Sequence, residues 1–111
     1  MSQGLISALA TVSRHGSITL GALAEQERVQ PPSMTKIVAR LEERGMLVRQ
    51  VDARDRRVTQ VQTTNDGDAF LERMRTRRNE FLAARLAELS ADEREALERA
   101  LPAMERLAGL S

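Results

Sequence analysis

The sequence contains no cysteine, no tryptophan and no tyrosine, and its only phenylalanines are Phe70 and Phe81. The lack of cysteine excludes disulfides, thiolate zinc sites and thiol-based redox sensing. His15 is the only histidine, so no histidine cluster has the spacing of metal ligands. We therefore expect an aliphatic core and neither a metal nor a cofactor.

Two further absences narrow the class of protein. No apolar run approaches the roughly 18 residues that a membrane span needs, and no signal peptide precedes the first polar helix, so we expect a cytoplasmic location. There is also no glycine-rich phosphate loop and no second histidine to activate a nucleophile. Glu42 and Glu43 are adjacent on a helix and diverge, which does not make an acid/base pair. We predict that the protein is not an enzyme.

The charge is unevenly distributed along the 111 residues, of which 41% are apolar and 30% charged. The overall net charge is only +1, but residues 28–62 have eight basic side chains against four acidic ones. The flanks, residues 1–27 and 63–111, are each slightly acidic. A length and composition of this kind predict a single folded domain, and the basic middle indicates an anionic partner.

Hydrophobic periodicity predicts three short helices in the first half. A first helix ends at Gly16, and Thr19 can cap a second helix of about three turns. Pro31 and Pro32 suit the first turn of a third helix, and Gly45 suits its end, where a left-handed residue is favoured. The second and third helices are joined by a tight turn, which predicts a helix-turn-helix.

The remainder is predicted to form a hairpin and two long helices. The segments "MLVRQV" and "VTQVQTT" are rich in β-branched residues and are typical of two strands. Thr64 can cap the first long helix, and Ser90 with Glu93 forms a capping box for the second. Pro102 should kink this last helix or end its first half.

The third helix has the pattern of a recognition helix. Its inner face consists of four apolar residues at helical spacing: Met34, Ile37, Val38 and Leu41. Lys36 and Arg40 lie four residues apart on the outer side, and the short side chains of Ser33 and Thr35 allow the backbone to approach DNA closely. The hairpin then presents "DARDRR" at its tip, whose arginines can enter a narrow minor groove.

Residues 16–71, "GSITL…DAFL", resemble the winged helix-turn-helix core of the MarR family of bacterial and archaeal transcriptional regulators. The most specific part is "DARDRR", followed by a strand and then by "TTNDGDAFL", which opens a long helix. The resemblance implies a mainly α fold with a small β-hairpin, in which a winged helix-turn-helix precedes two long C-terminal dimerisation helices. It also implies a homodimeric regulator, usually a repressor, that binds a palindromic operator and is often released by a small aromatic or phenolic ligand.

The resemblance also implies the residues that contact DNA. The recognition helix would span residues 30–40, with contacts from Gln30, Pro32, Ser33, Thr35, Lys36 and Arg40. The wing would span residues 52–57, with Arg54 or Arg56 in the minor groove and Asp55 and Arg57 bracing the tip. Arg28 stands where many relatives have a turn glycine, so the turn must take another form or be locally strained.

The last two helices are predicted to form a subunit interface. Each has a single apolar stripe, and so small a domain has little surface of its own to cover both. The residues expected to mediate dimerisation are Phe81, Leu82, Leu86, Leu97, Leu101, Met104 and Leu107. MarR-like chains usually begin with a further helix that contributes to the dimer. Because Met1 and Ser2 directly precede the first helix here, we expect this chain to lack it.

We therefore predict one compact domain, with residues 1–64 binding DNA and residues 65–111 mediating dimerisation. The expected partners are double-stranded DNA and a second copy, and no membrane, and the family resemblance adds a small aromatic or phenolic ligand as one option. The alternative is a winged-helix module that mediates protein–protein interaction without specific DNA binding. An RNA-binding module is disfavoured because the basic segment has no aromatic side chains on which bases could stack.

Overall fold

The protein was analysed as a computed structural model that describes residues 1–107 and residue 109. The chain divides into two compact units, residues 1–74 and residues 75–111. In order, the elements are α1 (Gln3–His15), β1 (Ile18–Thr19), α2 (Leu20–Glu27), α3 (Pro31–Glu43), β2 (Leu47–Val51), β3 (Thr59–Thr63), α4 (Asn65–Ala87) and α5 (Ala91–Leu107). The predicted mainly α fold with a small hairpin and two long C-terminal helices is confirmed.

The three strands form one antiparallel sheet in the order β1, β3, β2. In the hairpin, Leu47 pairs with Thr63 and Val51 with Thr59, so the register is symmetrical about the charged tip. β1, in which Ile18 pairs with Val61, was not predicted from the sequence. A strand of two residues has no alternation to detect. The sequence predicted Thr19 only as a helix cap. That prediction is confirmed, because the Thr19 hydroxyl accepts a hydrogen bond from the Ala22 N–H (3.1 Å).

The core of residues 1–74 is aliphatic, as predicted. It contains buried residues from α1, α2, α3, the sheet and the first turns of α4: Leu5, Ala8, Leu9, Val12, Ile18, Leu23, Ala24, Met34, Val38, Leu41, Leu47, Val61 and Leu71. From α3 it receives Met34, Val38 and Leu41, while Ile37 is only half-buried. This burial fixes the rotation of α3 about its own axis and so determines which residues it exposes.

The end of α3 is fixed by backbone hydrogen bonds around Gly45, which has a φ of +73°. The Gly45 N–H donates to the Glu42 carbonyl (2.9 Å) and the Met46 N–H to the Leu41 carbonyl (2.9 Å). These two bonds form a Schellman motif, in which glycine adopts the left-handed conformation without steric cost. The helix therefore ends where the sequence predicted.

Local hydrogen bonds stabilise the end of α4 and the start of α5. The Glu93 carboxylate accepts from the Ser90 N–H (3.0 Å) and the Ser90 hydroxyl accepts from the Glu93 N–H (3.2 Å), which confirms the predicted capping box. The Arg94 guanidinium donates to the carbonyls of Leu86 (3.3 Å) and Ala87 (3.2 Å) at the end of α4. Both contacts complement the charge at the helix ends.

Pro102 does not end α5, which continues from Ala91 to Leu107. Of the two outcomes predicted for Pro102, a kink or an end to the first half of the helix, the second does not occur. At 3.6 residues per turn, Pro102 lies away from the line of Leu97, Leu101 and Met104. Because Pro102 has no backbone N–H, it makes no helical hydrogen bond to the carbonyl of Glu98, which is an exposed residue.

Candidate nucleic-acid interface

The outer face of α3 presents all six residues that were predicted to contact DNA. Gln30, Pro32, Ser33, Thr35, Lys36 and Arg40 are all exposed. Gln30 is the N-cap residue, although its side chain makes no capping hydrogen bond. Within the described residues, the charged groups of Lys36 and Arg40 have neither a hydrogen-bond nor an ion-pair partner. These two cations are therefore available to an external anion or base edge.

The turn between α2 and α3 depends on a left-handed arginine. Arg28 has φ 56° and ψ 44°, and it is the only residue other than glycine with a positive φ in the described part of the chain. The Val29 N–H donates to the Ala24 carbonyl (2.9 Å), which closes the end of α2. The turn thus keeps the conformation that glycine favours, at a local strain of roughly 1–2 kcal/mol.

The hairpin tip is organised by the first of its two aspartates. The Asp52 carboxylate oxygen Oδ1 accepts hydrogen bonds from the backbone N–H groups of Arg54 (2.7 Å) and Asp55 (3.2 Å). The Asp52 N–H donates to the Val58 carbonyl (2.9 Å), and the Val58 N–H donates to the Asp55 carbonyl (3.0 Å). An Asx turn therefore shapes the loop from within.

The second aspartate binds one of the three arginines at the tip. Asp55 Oδ1 accepts from Arg57 Nε (3.0 Å) and from the Arg57 backbone N–H (3.0 Å), while Oδ2 accepts from Arg57 Nη2 (3.1 Å). The hydrogen bonds from the Arg57 side chain, and then from its backbone, lower the pKa of Asp55, and the same ion pair raises the pKa of Arg57. This bidentate contact holds the Arg57 side chain at the base of the loop.

The other two arginines of the tip are uncommitted. Arg54 and Arg56 are exposed, and neither guanidinium has a polar partner within residues 1–107 and 109. The tip thus divides its charges by position. The Asp52 carboxylate is used by backbone N–H groups of the loop, and Asp55 and Arg57 pair with each other. The charges of Arg54 and Arg56 are not used within the loop and face solvent.

An ion pair that sequence reasoning missed connects α3 to the hairpin. Arg49 Nε lies 2.8 Å from Glu42 Oε1, and the contact is electrostatic because the two groups are not aligned for a hydrogen bond. Arg49 pairs with the buried Val61 across β2 and β3, so its side chain lies on the inner side of the sheet. The alternation of side chains along a strand could place Arg49 on this side of the sheet. The sequence did not show that its partner is Glu42 and not the adjacent Glu43.

The residues predicted to mediate dimerisation lie in the second unit and are all exposed. Their exposed fractions range from 39% at Leu97 to 90% at Leu107: Phe81, Leu82, Leu86, Leu97, Leu101, Met104 and Leu107. The side chains of Leu86, Leu97, Leu101 and Met104, with Arg94 and Glu98, line an apolar groove of about 270 Å³. None of residues 75–107 is buried.

Within the described residues, no group of three or more histidine, aspartate and glutamate side chains is arranged to hold a metal ion. No helix in the same part of the chain is both long enough and apolar enough to cross a membrane. The features that remain are the exposed polar face of α3, the charged hairpin tip and the apolar groove.

Known proteins are similar to this chain in sequence. The model of the MarR family matches residues 1–59. An HTH-type transcriptional regulator of Mycobacterium bovis is 40% identical over 99 residues, which cover 89% of this chain and 69% of that protein. The HTH-type transcriptional repressor MdtR of Bacillus subtilis is 32% identical over 85 residues, covering 77% and 55% of the two chains.

A solved structure extends the similarity over the whole chain. The crystal structure of RV1404 from Mycobacterium tuberculosis superimposes with a TM-score of 0.89 at 26% sequence identity, covering 100% of this chain and 76% of that one. The match to the family model, the identity to the curated regulators and the shared fold agree. The chain belongs to the MarR family.

Proposed function

We propose that this protein is a sequence-specific DNA-binding transcriptional regulator, acting as a repressor that binds a palindromic operator as a homodimer. The observation that carries the proposal is the pairing of an exposed, uncommitted basic helix face on α3 with a hairpin tip that projects Arg54 and Arg56. The related proteins named as HTH-type transcriptional regulators support the same function.

The proposed binding mode places α3 in the major groove, which is wide enough to admit one helix. Lys36 and Arg40 would then face base edges or phosphates, and the short side chains of Ser33 and Thr35 would allow close approach. The hairpin would lie over the neighbouring minor groove, where Arg54 or Arg56 is attracted by the negative potential of a narrow A·T tract. Asp55 and Arg57 would hold the loop in its binding shape.

The apolar groove of the second unit supports the dimer. Two helices that bury none of their residues 75–107 lack a core of their own, and a continuous exposed apolar face of this kind marks an interface. We propose that residues 65–111 associate with the same residues of a second copy and that residues 1–64 bind DNA. Two recognition helices related by a two-fold axis would contact half-sites about 34 Å apart.

Repression and its release are the finer part of the proposal. The Bacillus subtilis relative is named as a repressor. The resemblance to the family further suggests that a small aromatic or phenolic ligand releases the operator. A panel of such compounds, added to a preformed protein–DNA complex, tests this part separately from DNA binding.

The first experiment combines light scattering with fluorescence binding assays on a random duplex and on promoter DNA from beside the protein's own gene. We expect a dimer that prefers the promoter fragment and whose affinity falls steeply with salt, because phosphate contacts release counterions. A monomer that binds neither duplex would contradict the proposal and favour the protein-interaction module.

Two substitutions separate base contacts from phosphate contacts. Arg40→Ala should weaken binding by about 1–3 kcal/mol with altered sequence preference if Arg40 contacts a guanine, and uniformly if it contacts phosphate. Arg56→Ala should reduce the salt slope and the preference for A·T pairs at the outer flanks. Arg99→Ala, which replaces an exposed arginine of α5, is the control and should change neither. If Arg54→Ala and Arg56→Ala both bind like the unmodified protein, the assignment of the wing is wrong.

A further inference from the structure

The first turn of α3 has few groups that can bind phosphate. Of its first three residues, Pro31 and Pro32 have no backbone N–H, so only Ser33 can offer one. The Met34 N–H already donates to the Gln30 carbonyl (3.0 Å), and no side chain caps the helix. Helix N-termini usually attract phosphate through free N–H groups, but this one is poor in such donors.

The hydroxyl of Thr35 is also unavailable as a donor. Thr35 Oγ1 donates to the Pro31 carbonyl (3.1 Å), one turn earlier in the same helix. The side chain is nevertheless exposed. Because its one hydroxyl hydrogen is used inside the helix, Thr35 can offer an external molecule only its methyl group and its remaining acceptor lone pair.

Pro32 and Thr35 lie together on the exposed side of α3. They are three residues apart and therefore neighbours on the helix surface. The buried residues Met34, Val38 and Leu41 define the opposite side, and Pro32 points almost directly away from that line. Helix geometry thus places the pyrrolidine ring and the threonine methyl next to each other as a small apolar corner, near Lys36, whose ammonium group has no polar partner in the part of the chain that the structure describes.

We propose that this apolar corner, Pro32 with the Thr35 methyl, contacts the 5-methyl group of thymine in the major groove and so specifies thymine in each half-site. The inference rests on the proposed DNA binding and adds a chemical identity to one position of the operator. In the major groove, thymine differs from the other bases by its methyl group, which apolar side-chain atoms recognise. N-terminal residues of a recognition helix are the ones that meet base edges.

The test removes only the methyl groups involved. Duplexes selected from a random library by the full chain are resynthesised with each thymine replaced in turn by uracil, which lacks the 5-methyl group. We expect the unmodified protein to lose about fourfold in affinity at one thymine of each half-site, the effect of burying one methyl-sized group.

The matched variants are Thr35→Ser and Thr35→Val. Serine keeps the hydroxyl but loses the methyl, so Thr35→Ser should reduce the preference for thymine over uracil at that position, and any remaining preference is attributed to Pro32. Valine keeps the methyl and loses the hydroxyl, so Thr35→Val should still prefer thymine. Thermal unfolding of both variants checks that α3 is intact, as expected for an exposed position.

The outcomes separate this inference from the function on which it rests. A chain that selects a site but shows no thymine preference at any position, or a Thr35→Ser variant that keeps the full preference, overturns the role of the apolar corner alone. A chain that selects no duplex from the library overturns the proposed DNA binding and this inference with it.

Discussion

Residues 1–74 and residues 75–107 contain similar apolar residues but differ in how many of them are buried. The first unit buries thirteen hydrophobic side chains, of which Leu9, Leu23 and Leu41 are fully inaccessible. The second unit has leucines and a methionine at helical spacing, yet none of its residues 75–107 is buried. The first unit therefore has its own core, whereas the second leaves its apolar stripes exposed, which is typical of an interaction surface.

The comparison shows what hydrophobic periodicity can and cannot establish. A stripe at i, i+4 and i+7, such as Leu97, Leu101 and Met104, predicts a helix and the direction of its apolar face. The same spacing in α3 belongs to an intramolecular core. Which of the two cases applies depends on the number of elements available to cover the stripe, and this follows from the whole fold.

The largest expected loss of stability is at the centre of the first unit. Leu9→Ala removes a fully buried side chain and should lower the free energy of unfolding by roughly 2–5 kcal/mol, measured by urea denaturation. Val51→Ala is the control, because Val51 is 59% exposed and its truncation should change stability by less than about 0.5 kcal/mol. Equal losses in the two variants would contradict the assignment of the core.

A charged substitution tests whether the apolar groove is the subunit interface. Leu101→Arg places a cation on the exposed stripe of α5 and should convert the proposed dimer to a monomer in light scattering. The affinity for a two-half-site duplex should then fall by about a hundredfold, since the linkage of the two recognition helices is lost. Glu95→Arg places a cation on the other side of α5, with an even larger change in net charge, and should leave the mass unchanged. A dimer that survives Leu101→Arg would place the interface elsewhere.

The junction between the hairpin and α4 leaves no space for a side chain at Gly67. A Cβ there would come within van der Waals overlap of the backbone carbonyl of Met46, so Gly67→Ala must displace the backbone. We expect a loss of about 1–3 kcal/mol in the free energy of unfolding. Gly4→Ala, in open space on α1, should instead stabilise the protein by roughly 0.5–1 kcal/mol. Similar effects at both positions would show that the close approach at Gly67 is relaxed in solution.

The smallest expected effect is a change in helix content of the second unit with pH. It depends on the capping box at the start of α5. The hydrogen bonds from the Ser90 backbone and side chain lower the pKa of Glu93. A lowered pKa in the folded state means that the stabilisation is present at neutral pH and is lost as the pH falls through that value.

The helix content, measured by far-ultraviolet circular dichroism, should therefore decrease slightly when the pH falls below the ordinary pKa range of a glutamate. Glu93→Gln, which keeps an acceptor but cannot titrate, should reduce this change. Glu95→Gln is the matched control outside the capping box and should not. If both variants titrate alike, the capping box contributes nothing to the pH dependence.

Much of the fold could be predicted because local signals coincide with element boundaries. Pro31 begins α3, Gly45 ends it, and Ser90 with Glu93 begins α5. The prediction failed where tertiary context decides, as at β1, whose two residues form a strand only because β3 lies beside them. For Arg28 the sequence left two options, and the structure has the strained left-handed one.

The candidate DNA contacts were predicted as a set of residues but not as an arrangement. Charge and spacing singled out the "DARDRR" loop, yet they could not show that Arg57 is bound by Asp55 while Arg54 and Arg56 are uncommitted. That division depends on the shape of the turn closed by Asp52. The hydrogen bond from Thr35 to Pro31, which decides what Thr35 can offer to a base, likewise needs coordinates.

Thr64 makes three contacts at the root of α4. Its hydroxyl donates to the Gly45 carbonyl (2.6 Å) and accepts from the Gly67 N–H (3.0 Å), while its backbone N–H donates to the Met46 carbonyl (3.0 Å). Thr64 thereby bonds both to the two residues that follow the C-cap of α3, Gly45 and Met46, and to the first turn of α4. One threonine thus links the first turn of α4 to the residues that end α3, the helix that we propose to bind DNA.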